Sequence, residues 1–205
     1  MAKKYNWLLT VLFILPVVLA FSGCERIGRV DQGRAIGFDK TKKTLTIIRD
    51  SGKNPNAPDY SVLPPVTYTL PEDPNEMGPD PKIGKRMKLD PKERQIVIYV
   101  PETNSFATIN YTLIDQKENL SATDPLVYNE AEEKDKKFPA IDKTKKTITI
   151  YSKRLKMLTT FSVPDQYFSL PEDTWDNGDE MRIYYKQEGK ASRIMNVTKT
   201  NIYKK

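Results

Sequence analysis

Histidine is absent from this chain of 205 residues, and cysteine occurs once, at Cys24. Without imidazole no Ser-His-Asp or Cys-His relay can be assembled. Zinc and copper sites built on imidazole and thiolate fall away for the same reason. Haem attachment through a CxxCH motif is excluded too, and a single cysteine leaves no intramolecular disulfide to form. What remains is carboxylate, lysine, tyrosine and hydroxyl chemistry, with hard cations held by oxygen. A strong excess of one charge is also missing. The net charge of +6 falls to +4 if residues 1–23, with Lys3 and Lys4 and no acid, are removed, and both signs are interspersed along the rest. Nucleic-acid binders gather positive charge on one face, so nucleic acid is excluded as a partner.

Long hydrophobic runs are limited to one, WLLTVLFILPVVLAF at Trp7–Phe21, preceded by Lys3 and Lys4 and followed at once by Ser22-Gly23-Cys24. A basic start, a short apolar stretch and small residues before a cut site predict a secretory signal peptide. The run is shorter than the roughly 20 residues a spanning helix needs, and Pro16 near its middle weakens a helix further. FSGC resembles a bacterial lipobox, in which signal peptidase II cuts before a cysteine that then receives a diacylglyceryl thioether and an N-acyl chain. Phe21 stands where leucine is usual. The resemblance implies acylation of Cys24, and each buried methylene of such chains contributes about 0.8 kcal/mol to membrane anchoring.

Helical periodicity is scarce in the remainder, and alternation with period two takes its place. Thr44–Ile48, Thr67–Leu70, Gln95–Tyr99, Ser105–Ile114, Lys146–Tyr151, Leu158–Val163, Met181–Lys186 and Ser192–Lys199 are rich in Ile, Val, Thr, Tyr and Phe and predict strands. Pro64-Pro65 and the prolines between Pro71 and Pro81 are hard to place inside any helix. Tyr128–Lys137 (YNEAEEKDKK) lacks an apolar stripe and reads as a solvated linker with one helical turn.

One phrase is written twice. DKTKKTLTI at Asp39–Ile47 returns as DKTKKTITI at Asp142–Ile150. VTYTLPED at Val66–Asp73 answers QYFSLPED at Gln166–Asp173, Ile98-Tyr99 answers Ile183-Tyr184, and Ile109 answers Ile194. Order is kept, and the length difference falls in one place, between Asp73 and Ile96. Such a pattern predicts a duplicated supersecondary unit. The expected fold is therefore all-β, with two tandem antiparallel modules curled into SH3-like or OB-like barrels to hide their edges; a single β-sandwich is the alternative. The expected divisions are a leader over 1–23, a tether over 24–33, a first module over 34–120, a charged linker over 121–137 and a second module over 138–205.

Candidate chemistry sits in four places. The DKTKKT lysines can make basic tips for anionic lipid or polysaccharide, but Asp-Lys-Thr-Lys-Lys is first a good polar turn capped by its aspartate. Glu72-Asp73 and Glu172-Asp173 offer carboxylates for acid–base work, although neighbours on a strand point to opposite faces. Asp173, Asp176, Asp179 and Glu180 surround Gly178 and are calcium candidates, yet Trp175 stands where the second ligand of the loop pattern belongs. Asn177-Gly178 reads more simply as a hairpin turn. Trp175, Tyr184 and Tyr185 are binding candidates, and of the adjacent tyrosines one must face outward.

GRVDQGR (Gly28–Arg34), VLPPVTYTLPEDPNEMGP (Val62–Pro79) and YTLIDQKEN (Tyr111–Asn119) are similar to a lipoprotein family of unknown function from Gram-negative bacteria. That resemblance implies localisation and fold, and no activity. The resulting expectation is a non-enzymatic protein, without cofactor or metal, held by lipid on the periplasmic face of the inner or outer membrane. Its partner would be another envelope component, protein or glycan. A carboxylate-dependent glycan hydrolase and a calcium-stabilised structural module are the rival expectations.

Overall fold

The computed structural model describes residues 27–54 and 57–200, so Cys24 and the leader lie outside the described residues. The protein is almost wholly β, built from several small antiparallel sheets with very little helix. The alternating segments become β1 (Arg29–Asp39), β2 (Thr44–Asp50), β3 (Tyr60–Thr69), β4 (Arg86–Asp90), β5 (Gln95–Val100), β6 (Ser105–Asn110) and β7 (Thr112–Lys117). After the hairpin of β8 (Tyr128–Asn129) and β9 (Lys134–Asp135) come β10 (Ala140–Asp142), β11 (Thr147–Ser152), β12 (Met157–Ser162), β13 (Glu180–Tyr185) and β14 (Arg193–Asn196). The charged linker does carry one turn of helix, a 3-10 turn at Glu130–Glu132 between β8 and β9.

The two DKTKKT phrases fold alike. Asp39 accepts the amides of Thr41 and Lys42, each at 2.9 Å, and Asp142 accepts those of Thr144 and Lys145 at 3.0 and 2.9 Å. Lys43 and Lys146 both take left-handed backbone, at φ 53° and 52°. Each turn is thus tied by its aspartate, as an Asx turn is. The threonines that follow repeat as well: the Thr46 and Thr67 hydroxyls pair across β2 and β3 at 2.9 Å, and Thr149 and Thr160 pair across β11 and β12 at 2.9 Å.

What the duplicated sequence does not disclose is how the copies combine. One sheet runs β14-β13-β1-β2-β3, joining the last two strands of the second copy to the first three of the first. Its core contains Leu45 and Ile47 from β2 with Met181, Ile183 and Ile194 from β13 and β14. The counterparts of those five, Ile148, Ile150, Ile96, Ile98 and Ile109, meet in another core, where β5 and β6 of the first copy pack on β11 of the second. Each core therefore takes its opening strands from one copy and its closing strands from the other. The expectation of two self-contained modules in tandem gives way to exchanged halves.

The extra residues of the first copy explain the one asymmetry. In the second copy β13 is flanked by β14 and β1. In the first, β5 is flanked by β6 and by β4, and β4 lies inside the insertion. The insertion thus supplies a strand of its own where β1 serves in the other unit. Tyr99 and Phe106, on the faces of β5 and β6 away from Ile98 and Ile109, join Met87 against Ile48 and Tyr60, so β4-β5-β6 is covered on both sides.

Barrel closure is approached and not reached. Isolated bridges join Thr69 to Lys190 and Met77 to Ile194 across the edges of the five-stranded sheet, but among the described residues no ladder completes a barrel. Edge position also accounts for Pro64 and Pro65 inside β3, since an edge strand tolerates missing amide donors.

Candidate functional site

The acidic loop after the second LPED corner lies where the two composite units meet. A 3-10 turn at Glu172–Thr174 leads into Trp175, which is fully buried with its ring 6.5 Å from Phe161. Arg86, at the start of β4 and 7% exposed, donates from Nε to the Trp175 carbonyl at 2.9 Å and from Nη2 to Asn177 Oδ1 at 2.8 Å. Burial pushes that guanidinium down to about 10, so it remains charged at neutral pH. The backbone closes the same seam, with Lys85 N–H on the Asp173 carbonyl and Arg86 N–H on that of Asp176, both at 2.9 Å.

Each calcium candidate is claimed by its own donor. Asp173 pairs with Lys85 at 3.1 Å, and Asp176 pairs with Lys82. Asp179 Oδ2 accepts the Lys82 amide and Asn196 Nδ2, both at 2.8 Å, and lies 3.4 Å from Lys199 Nζ. Glu180 accepts from Gln32. Calcium takes six to eight converging oxygens, whereas each of these four carboxylates is engaged by nitrogen donors, with Lys82 serving both Asp176 and Asp179, and no cluster of three acids gathers among the described residues. Burial is the largest influence on Asp176 and raises its pKa, with Lys82 opposing. The first LPED corner is likewise structural: Asp73 Oδ1 accepts the Asn75 amide at 2.9 Å to start the turn Pro74–Glu76.

Asn177-Gly178 is not a hairpin turn. A Cβ on Gly178 would stand 1.8 Å from the Ala35 carbonyl oxygen, so the glycine is there because the backbone of β1 crosses directly over it. Of the aromatic candidates, Trp175 is core, and Tyr185 is core beside Tyr68, with ring centroids 5.4 Å apart. Tyr184 is the half-buried one and lies over Gly28, where a Cβ would come within 2.2 Å of its ring.

A second place was not singled out by sequence, because residues 24–33 read as tether. The amino end of β1 is instead paired residue by residue with β13, from Arg29 opposite Tyr185 to Arg34 opposite Glu180. Beside it opens a depression of about 600 Å³ lined in part by Val30, Asp31, Gln32, Arg49, Val62 and Arg182. Asp31 accepts the hydroxyl of buried Tyr68 and lies 3.7 Å from Arg49. Burial and the neighbouring carboxylate together hold the Tyr68 phenol well above its usual range. Arg182 donates twice to Gln32 Oε1, at 3.2 and 3.0 Å, and Arg49 Nε is buried without an acceptor. The missed signal was the alternation in Arg29–Ala35, masked by charged residues on a strand that is buried only in part.

Fold and site together define a β-rich protein of two intertwined repeats whose acidic loop is a structural seam. Residues 26–205 match the family model described as Domain of unknown function (DUF4881), and the chain belongs to that family. No curated protein and no solved structure matches it. Among the described residues no helix is long and apolar enough to cross a membrane.

Proposed function

We propose that this is a lipid-anchored protein of the bacterial cell envelope, acylated at Cys24, that works as a non-enzymatic binding or structural module for another envelope component on the periplasmic face. One observation carries the reading: the basic, apolar and small-residue order of the leader ends on FSGC, and its cysteine is the only one in the chain. The hydrolase alternative asks for a pair of carboxylates free to face a substrate. Asp73 instead caps a turn, and Asp173 is engaged by Lys85. The calcium alternative asks for oxygens that converge, and each of its candidates is held by a nitrogen.

The test begins with the full chain expressed with its leader in a Gram-negative host. Mass spectrometry of the envelope fraction should find cleavage before Cys24 with acyl chains on that residue, and Cys24→Ala should abolish both. A cross-linked pull-down of the acylated protein should then return one dominant partner that the variant does not. Hydrolysis of purified peptidoglycan that Asp173→Asn abolishes would overturn the non-enzymatic reading. A melting temperature that drops on chelation would favour the calcium module.

A further inference from the structure

The depression at the amino end of β1 holds guanidinium donors that the fold leaves unspent. Its acids are already engaged: Asp31 by Tyr68 and Arg49, and Asp50, which also lines it, by the Asp59 amide at 2.7 Å. Its arginines are not saturated. Arg182 is exposed and directs two donors to one amide oxygen, while Arg49 makes a single long contact of 3.7 Å. A guanidinium carries five N–H donors in a fixed fork that suits phosphate. Exposed Arg29 adds charge at the same strand end, and Val30 and Ile27 add apolar surface at 56% and 90% exposure.

Position decides what meets this surface. Arg29 stands five residue steps beyond Cys24, and an extended chain spans at most about 3.6 Å per residue, or about 18 Å. A membrane holding Cys24 therefore lies within that distance of the amino end of β1. The lysine-rich tip Lys40–Lys43 follows the other end of this eleven-residue strand, about 34 Å away, so it is not the surface that the tether brings down.

We infer that the amino end of β1 docks on an anionic lipid surface, with Arg49 and Arg182 donating to headgroup phosphates and Ile27 and Val30 entering the interface. This rests on the anchored reading above, and the two are separated by the experiment. Anchoring is judged by the mass of Cys24 alone. Docking is judged by amide hydrogen exchange of residues 27–31 and 50–54 in the full chain, on vesicles of phosphatidylethanolamine and on vesicles with equal phosphatidylglycerol. Exchange is expected to slow several-fold on the anionic vesicles and to recover at high salt, as screening requires. Arg49→Gln with Arg182→Gln should remove the difference. Arg182→Gln alone, at an exposed side chain, should reduce it without altering the melting temperature in detergent. Equal exchange on both vesicles, or protection that survives the double variant, overturns the docking even if Cys24 is acylated. Protection produced on phosphatidylethanolamine by inorganic phosphate alone would assign the depression to free phosphate and overturn it as well.

Discussion

Arg86 shows how one side chain can hold a seam. Its donors reach the Trp175 carbonyl and Asn177, both neutral acceptors, and its stem is buried with them. Arg86→Ala would leave a buried carbonyl unsatisfied and remove packing, a loss of about 2–4 kcal/mol in urea unfolding. A variant as stable as the parent would show that neither the hydrogen bonds nor the buried stem of Arg86 holds the seam. At the turns the relevant chemistry is protonation. Backbone amides, Lys42 first and then Thr41, hold Asp39 below the usual carboxylate range, and Lys145 and Thr144 do the same for Asp142. A depressed folded-state pKa gives stability that is present above the unfolded value of about 3.9 and is lost as pH falls through the folded one. Asparagine can cap the same turns without titrating. Asp39→Asn with Asp142→Asn should therefore flatten the acid limb of stability between about pH 5 and pH 2, read from urea midpoints. An unchanged slope would show that other carboxylates dominate there.

Elements were the most legible level. The strands around Thr44, Gln95, Lys146, Leu158 and Met181 stand within a residue or two of their alternating patterns, because period two on a half-buried face leaves little choice. Ser105–Ile114 was one run in the pattern and is two strands in the fold, β6 and β7. Their partners were not legible, and the duplication itself is the reason. Leu45 and Ile148, or Ile98 and Ile183, present nearly the same apolar face, so either copy's closing strands would suit either copy's opening strands. The β4 strand escaped because Lys85–Arg94 is dominated by charge, and its pairing is decided by the free edge of β5. The exchange makes a specific prediction. Ile183→Ala should cost about 2–5 kcal/mol and raise hydrogen exchange in β1–β3. It should leave β10–β12, which belong to the same copy as Ile183, less affected. Loosening concentrated in β10–β12 would contradict the exchange.

For the molecule as a whole, the two halves act as partners that happen to share a chain. Their only direct covalent link passes through the segment from Lys117 to Ala140, where the Glu130–Lys137 stretch is exposed. A protease site inserted after Glu133 should give a nicked protein whose halves stay together through gel filtration, since neither core is complete in one half. After urea, refolding of the nicked protein should become dependent on protein concentration, while the intact chain refolds at a rate independent of it. Halves that separate on cleavage and keep their own hydrogen-exchange protection would refute this. The same wiring sets a schedule for synthesis. The opening sheet of β1–β3 is finished as sequence by Thr69, yet it receives β13 and β14 only when Asn196 has been made. At about 5–20 residues per second that is a wait of about 6 to 25 s. Throughout it Leu45, Ile47 and Tyr68 have no lid. A chain made amino end first therefore leaves this sheet unfinished until β14 has been made, so its opening strands cannot complete their core while the second copy is still missing.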